Sequence, residues 1–165
     1  MSDIRGNALV VGGTGMLARA TDWLAERSDR TLLAARHASR AASTDRRFEP
    51  LDIDWNSPSF ERDLTAAVTR LRPLRHALLW FHDPSPALTW LAPLLGQART
   101  VILLGNLSGT AHWPPVPRDW AFVRLGSKPA GNGRRWLSHQ EISDAAIAAL
   151  IDGQSRVVGD LLPAD

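Results

Sequence analysis

The segment Gly12-Gly13-Thr14-Gly15 has the residue types and the spacing of a turn that binds a phosphate group. Residues 8–11 precede it as a short apolar strand, and the residues after it have apolar side chains at the spacing of one helix face. Glycine allows a sharp turn and leaves no side chain in front of the first helical N–H groups, which attract an anion. The sequence therefore predicts a phosphate-binding turn made of Gly12, Gly13, Thr14, Gly15, Met16 and Leu17.

The spacing around this turn favours a dinucleotide over a nucleoside triphosphate. A second apolar run, residues 31–35, follows about sixteen residues after Gly15 and completes a strand–helix–strand unit. In such a unit Gly12 allows the turn, Gly15 admits the pyrophosphate, and Ala18 lets the helix lie against the strand. No Lys-Ser or Lys-Thr pair follows the glycines, which excludes the phosphate loop of nucleoside triphosphatases. The alternative is a structural glycine turn in another α/β protein.

Basic residues follow the second predicted strand, where the adenosine ribose of a bound dinucleotide lies. NAD-binding proteins usually have an acidic residue there for the ribose 2′-hydroxyl, whereas arginine accommodates a 2′-phosphate. This sequence has no acidic residue at that place and instead has Arg36, His37, Ser39 and Arg40. It therefore predicts NADP(H) in preference to NAD(H), and the alternative is that these arginines are only solvated surface.

The motif G-x-x-G-x-x-A, formed by Gly12, Gly15 and Ala18, resembles the glycine motif of the short-chain dehydrogenase/reductase superfamily. The spacing is more similar to that of the atypical and extended members than to that of the G-x-G-x-x-G enzymes. The most similar proteins are short bacterial ones known only as short-chain dehydrogenase-like, with no assigned substrate. This resemblance implies a Rossmann-like domain that binds NAD(P).

Two further segments carry the same resemblance. Residues 51–54, Leu-Asp-Ile-Asp, are similar to the acidic and aliphatic pair that the family has after its third strand. Residues 135–142 resemble the segment that opens the family's last helix. The resemblance implies that Asp52 faces the adenine of the cofactor and that Ile53 lies beside it in the same site.

The usual catalytic residues of the family are missing. Carbonyl reduction there requires a tyrosine that donates a proton, a lysine that lowers its pKa and a serine that polarises the carbonyl group. The sequence contains no tyrosine. Residues 106–119 contain three prolines and cannot form the helix that carries the Tyr-x-x-x-Lys motif. Only Ser108 matches the catalytic set, and Asn106 competes for the same position.

A histidine could replace the missing tyrosine as the proton donor. His82 follows the fourth predicted strand beside the expected cofactor, and histidine titrates near neutral pH. The alternative is that His82 and Asp83 only begin a turn, and His112 and His139 are weaker candidates. Two functions stay open: an NADP(H)-dependent oxidoreductase with non-standard catalytic residues, and a redox sensor or regulatory protein that binds NADP(H) without turnover.

Strand patterns alternate with helix patterns along the whole chain, which predicts one Rossmann-like α/β domain over residues 1–165. The expected sheet is mostly parallel, has about six or seven strands and is covered by helices on both faces. Its predicted strands are residues 8–11, 31–35, 47–53, 76–82, 100–104, 120–125 and 156–161. Because ligands of such sheets bind beyond the carboxyl ends of the strands, the glycine turn and the basic segment are expected at one edge.

Local signals predict the connecting elements. Residues 87–95 have a helix pattern that Pro93 should kink or cut short. Residues 127–135 contain two glycines and are expected to form a flexible loop or a tight hairpin. Ser138 and Glu141 have the spacing of a capping box at the start of the last helix.

Composition argues against several other functions. The net charge is +2 and the basic residues are scattered, which argues against a nucleic-acid partner. There is no cysteine, no H-x-x-x-H metal motif and no G-x-S-x-G elbow of a serine hydrolase. Without a leader or a long apolar run, the expected location is the cytoplasm, with no membrane partner. The amphipathic last helix, with Trp113 and Trp136, favours a homodimer.

Overall fold

The computed structural model of the protein describes residues 6–81, 85–105 and 116–161. Nine strands and five helices occur in these ranges, and strands alternate with helices from β1 to β5, as the sequence predicts. The strands are β1 (Asn7–Val11), β2 (Arg30–Ala35), β3 (Phe48–Asp52), β4 (Leu74–Trp80), β5 (Arg99–Leu104), β6 (Ala121–Leu125), β7 (Ser127–Ala130), β8 (Gly133–Trp136) and β9 (Arg156–Val158). The helices are α1 (Ala18–Arg27), α2 (Ala38–Ala42), α3 (Phe60–Leu71), α4 (Ser85–Leu95) and α5 (His139–Asp152).

Seven of these strands form one parallel sheet in the order β3-β2-β1-β4-β5-β6-β9. β1 lies between β2 and β4, so that Val11 is paired with Ala34 on one side and Leu79 on the other. β7 and β8 form a separate antiparallel hairpin. The predicted fold class, a Rossmann-like α/β fold with a mostly parallel sheet, is therefore confirmed.

The sheet is buried on both faces because successive residues of a strand point to helices on opposite sides. Leu9 packs in the core formed with α3 and α4, whereas Val10 packs in the core formed with α1 and α5. Both side chains are fully buried, which explains why the strands have continuous apolar runs. In the described ranges, no helix has the length and apolar character needed to span a membrane.

Two predictions about the last part of the chain are confirmed. Residues 127–136 form the hairpin of β7 and β8. At the start of α5, the Ser138 hydroxyl accepts the Glu141 N–H at 3.1 Å, and the Glu141 carboxylate accepts the Ser138 N–H at 3.0 Å. Gly153 ends the helix with a φ of +69°, a conformation that glycine adopts at low cost.

Three local predictions need correction. α4 is not cut short at Pro93 but continues to Leu95, because a proline in the last turn removes only one internal hydrogen bond. The sequence predicts a loop over residues 36–40, but the short helix α2 already begins at Ala38. β4 begins two residues earlier than predicted, since Leu74 already pairs with Asn7, and it ends at Trp80.

Candidate functional site

The carboxyl edge of the sheet brings together chain segments from both sides of β1. The glycine turn follows β1, Arg36 and His37 follow β2, and Asp52 ends β3. On the other side of β1, Trp80 ends β4 and Gly105 follows β5. Strand order reverses at β1, and ligands of open α/β sheets bind in the crevice at such a point.

The backbone conformation and the close packing of the turn require a glycine at position 12. Its φ is +75°, and its N–H donates to the carbonyl oxygen of Ala34 at 2.9 Å. A Cβ atom at this position would lie 2.8 Å from the backbone oxygen of Trp80. Any side chain would therefore force the end of β4 away from the turn, as predicted for the residue that allows the sharp bend.

Gly13 lets α1 lie close to β1. A Cβ atom there would lie 2.4 Å from Cγ1 of Val10 and equally close to Oγ1 of Thr21. The Thr21 hydroxyl donates to the Gly13 carbonyl oxygen at 3.1 Å and joins the helix to the turn. The sequence assigned this packing role to Ala18, and that assignment is wrong, because Ala18 is exposed at the start of α1.

Gly15 lies on the open side of the turn. A Cβ atom at Gly15 would meet no heavy atom within 4 Å, and Thr14 beside it is also exposed. Within the described part of the chain, the backbone N–H groups of Gly13, Thr14, Met16 and Leu17 donate to no protein acceptor, whereas the Ala18 N–H donates to the Gly15 oxygen at 3.0 Å. Successive unpaired N–H groups at the start of a helix can bind an anion such as a pyrophosphate.

A residue that sequence reasoning missed fixes this turn from the last helix. Ser143 of α5 is fully buried, and its hydroxyl donates to the backbone oxygen of Met16 at 2.9 Å. The same hydroxyl accepts the N–H of Ala20 at 3.3 Å. The sequence signal is weak, because a serine next to Ile142 in the first turns of a helix also fits a solvent-facing position.

Arg36 and Arg40 are exposed, and neither makes an ion pair within residues 6–81, 85–105 and 116–161. By contrast, Arg47 is engaged with Asp45 at 2.6 Å and with Asp22 at 3.7 Å. The two arginines predicted to meet the ribose are therefore available to an external anion.

Asp52 has a partner on the protein itself. Its Oδ1 accepts the backbone N–H of Ser39 at 2.8 Å. That hydrogen bond, a second one from the Ser39 hydroxyl and the nearby His37 hold the pKa of Asp52 below its usual value. The ionised carboxylate fixes the start of α2, and this positions Ser39 and Arg40 at the carboxyl edge.

Two of the predicted cofactor residues have side chains that point into the core. Leu17 is fully buried, and Ile53 is 6% exposed and packs on the α3 and α4 side of the sheet. The N–H of Ile53 donates to the oxygen of Ala35 at 3.0 Å. A ligand at the carboxyl edge of the sheet can therefore contact the backbone of Leu17 and Ile53 but not their side chains.

A mostly apolar cavity of about 260 Å³ lies at the same edge, between the glycine turn and α5. Its lining residues are Met16, Trp80, Gly105, Leu125, Gly126, Trp136, Leu137, His139 and Ile142. Met16 directly follows the glycine turn, so the cavity adjoins the predicted phosphate site. His139, a weaker candidate in the sequence, is the ionisable side chain of this lining.

The other sequence-based candidates for catalysis lie outside the described residues. They are His82, Asp83, Asn106, Ser108 and His112, and Trp113 also lies in that part of the chain. Their proposed roles stay predictions.

No protein-family model matches the chain, and no curated protein matches its sequence. The fold, however, is similar to that of solved structures. A short-chain dehydrogenase from Burkholderia cenocepacia J2315, in complex with NADP, matches with a TM-score of 0.63 and 18% identity over 96% of this chain and 90% of that chain. The Lmo0794 protein from Listeria monocytogenes matches with a TM-score of 0.57 and 16% identity over 93% and 99% of the two chains. The resemblance first carried by the glycine motif is thus confirmed at the level of the fold: the chain has a Rossmann-like α/β fold similar to that of a solved short-chain dehydrogenase.

Proposed function

We propose that the protein binds NADP(H) at the carboxyl edge of its sheet. The observation that carries this proposal is the open turn at Gly15, where the N–H groups of Gly13, Thr14, Met16 and Leu17 have no acceptor among the described residues and precede α1. The pyrophosphate would lie on this turn, with the adenosine at the ends of β2 and β3 and the nicotinamide on the other side of β1, next to the cavity. When bound, the reduced cofactor supplies a hydride.

The preference for NADP(H) over NAD(H) rests on Arg36 and Arg40. Both are exposed without an ion-pair partner in the described ranges, and Asp52 is held by the N–H of Ser39. A 2′-phosphate would find two guanidinium groups there and a carboxylate already engaged elsewhere. The fold neighbour from Burkholderia cenocepacia, which is an NADP complex, agrees with this choice.

We further propose that the protein is an oxidoreductase with a non-standard proton donor. The apolar cavity next to Met16 supports this, because it offers a substrate a place beside the nicotinamide end of the cofactor. His82 and Ser108 remain the candidates from the sequence, and His139 lines the cavity. The usual tyrosine, which acts as the general acid of the resembled family, is missing. Because a general acid contributes roughly a hundredfold to ten-thousandfold to a rate, simple ketones should be reduced far more slowly than the usual enzymatic rate of about 10 per second.

The second candidate is a redox sensor or regulatory protein that binds NADP(H) without turnover. One observation favours it: the whole sequence contains no tyrosine, so the proton donor of the resembled family has no counterpart.

Two measurements on the purified protein test these proposals. Calorimetric titration with NADP⁺, NADPH, NAD⁺ and NADH should show binding, tighter for the two phosphorylated cofactors. Steady oxidation of NADPH with a panel of carbonyl compounds would support the oxidoreductase, whereas binding without turnover and with ligand-dependent assembly in native mass spectrometry would support the sensor. Failure of all four cofactors to bind would overturn both.

A further inference from the structure

We propose that the cavity between the glycine turn and α5 binds an uncharged, flat aromatic molecule that carries a carbonyl group. Its ring would lie against Trp80 and Trp136, and His139 would donate a hydrogen bond to the carbonyl oxygen. This inference rests on the proposed function, because it names the substrate class of the same site.

The part of the lining that the structure describes disfavours an anion. Among residues 6–81, 85–105 and 116–161, the side chains around the cavity other than His139 are apolar or aromatic, and none is an aspartate, glutamate, lysine or arginine. Burial of an anion among such groups, without a paired cation, costs several kcal/mol or more. The volume of about 260 Å³ lies just below the usual range of ligand pockets, which fits a molecule of one or two fused rings.

Trp80 forms a fixed wall of the cavity. A Cβ atom at Gly105 would lie 3.2 Å from the Trp80 ring, so the glycine permits the ring to pack across the end of β5. The backbone oxygen of Trp80 packs even more closely on Gly12, where a Cβ atom would lie 2.8 Å from it. An aromatic ligand stacked on Trp80 would therefore meet a surface that is already held in place.

Trp136 is the most exposed large apolar side chain among the described residues, at 79%. It ends β8 at the rim of the cavity. A flat ligand would cover part of this indole and remove apolar surface from water. Because the ring is largely exposed, it contributes little to the protein core and is available for contact with such a ligand.

The carboxylate of Glu141 joins α5 to the hairpin of β7 and β8. It thereby fixes the position of Trp136 on the hairpin relative to His139 on α5. Glu141 accepts the Arg135 guanidinium at 2.8 Å and also contacts the ammonium group of Lys128. These two cations are thus paired within the protein. His139, two residues before Glu141, has an exposed side chain at the rim and ring N–H groups that can donate to a carbonyl oxygen.

The test uses two probes of nearly equal shape, 2-acetylnaphthalene and 2-naphthoate, in calorimetric titrations of the full chain with saturating NADP⁺. We expect 2-acetylnaphthalene to bind and 2-naphthoate to bind at least about tenfold more weakly. Trp136→Ala should weaken the binding of 2-acetylnaphthalene about tenfold, and His139→Ala should weaken it about threefold to tenfold.

Matched controls separate the cavity from the general surface. Ile151→Ala removes another exposed apolar side chain from α5, and Gln140→Ala removes the neighbour of His139 that does not line the cavity. Both should leave the affinity for 2-acetylnaphthalene unchanged. Equal affinity for the two probes, or equal loss in the control variants, would overturn the proposal.

The same titration without NADP⁺ distinguishes this inference from the proposed function. If 2-acetylnaphthalene binds only when NADP⁺ is absent, the cavity belongs to the nicotinamide and the inference is wrong, whereas the proposed function stands. If 2-acetylnaphthalene binds but no dinucleotide does, the proposed function is wrong and the cavity is a site of its own.

Discussion

Three of the four residues in the turn are glycines, and a different physical constraint explains the glycine at each position. Gly12 has a positive φ, Gly13 is packed against Val10 and Thr21, and Gly15 faces open space. Substitution at the first two positions acts on the fold, because a side chain would meet protein atoms there. Substitution at Gly15 acts on whatever binds to the turn.

We expect Gly15→Val to abolish binding of NADP⁺ and to leave the unfolding temperature nearly unchanged, since the new side chain meets no protein atom but would occupy the place proposed for the pyrophosphate. Gly13→Val is the matched comparison and should lower the unfolding temperature by several degrees. Calorimetry and thermal unfolding measure the two effects. An unchanged affinity in Gly15→Val would show that the turn is not the phosphate site.

We expect the side chain of Arg36 to determine the preference for NADP(H) over NAD(H). A partly exposed arginine–phosphate contact contributes about 1.5–3 kcal/mol, or roughly tenfold to a hundredfold in affinity. Arg36→Ala should therefore narrow the preference for NADP⁺ over NAD⁺ by at least about tenfold, and raised salt should weaken NADP⁺ more than NAD⁺. Arg46→Ala removes another exposed arginine and should change neither ratio. Equal affinity for both cofactors in the wild type would mean that Arg36 is only solvated surface.

At the scale of the elements, the sequence allowed most of the sheet and the last helix to be predicted. Continuous apolar runs identify strands that are buried on both faces, and the capping box of Ser138 and Glu141 marks the start of α5. The short helix α2 could not be predicted, because it depends on Asp52, which lies thirteen residues away from Ser39. The sequence likewise predicts that Ala18 allows α1 to pack against β1, because the spacing does not show which small residue makes the contact. In the structure that residue is Gly13.

The hydrogen bonds that join α5 to the start of α1 could not be predicted from a local sequence pattern, because Ser143 is 127 residues away from Met16 and nearly as far from Ala20. Ser143→Ala should lower the free energy of unfolding by about 1–3 kcal/mol, since the part-buried carbonyl of Met16 and the buried N–H of Ala20 lose their partner. It should also weaken NADP⁺ binding, because the turn is no longer fixed. Ser155→Ala, which removes an exposed acceptor of the Phe122 N–H, is the control that should leave NADP⁺ affinity unchanged. Urea titration and calorimetry decide between these results.

At the scale of the whole molecule, stability should depend on pH through His76 of β4. Burial, with Arg99 and Arg75 nearby, lowers the pKa of His76 to about 4. The unfolded chain binds the proton near pH 6.5 and the folded chain does not, so stability is complete above that pH and is lost as the pH falls towards 4. The loss should be on the order of 1 kcal/mol after solvent screening at this half-buried site.

His76→Gln should remove this part of the pH dependence. Urea unfolding of the wild type and the variant at pH 7 and pH 4.5 measures it, and the difference between the two proteins isolates His76 from the other titrating groups. Parallel changes in both proteins would show that the folded chain protonates His76 as readily as the unfolded chain does.

The hydrogen bond from Ser143 to Met16 also has a consequence for the order in which the protein is made. The two residues are 127 positions apart, and a ribosome that adds about 5–20 residues per second needs roughly 6–25 s to go from one to the other. During that interval the glycine turn has left the ribosome without the helix that fixes it. The first supersecondary unit to be synthesised is therefore one of the last to reach its binding shape, and a nascent chain stopped before residue 143 should not retain NADP⁺.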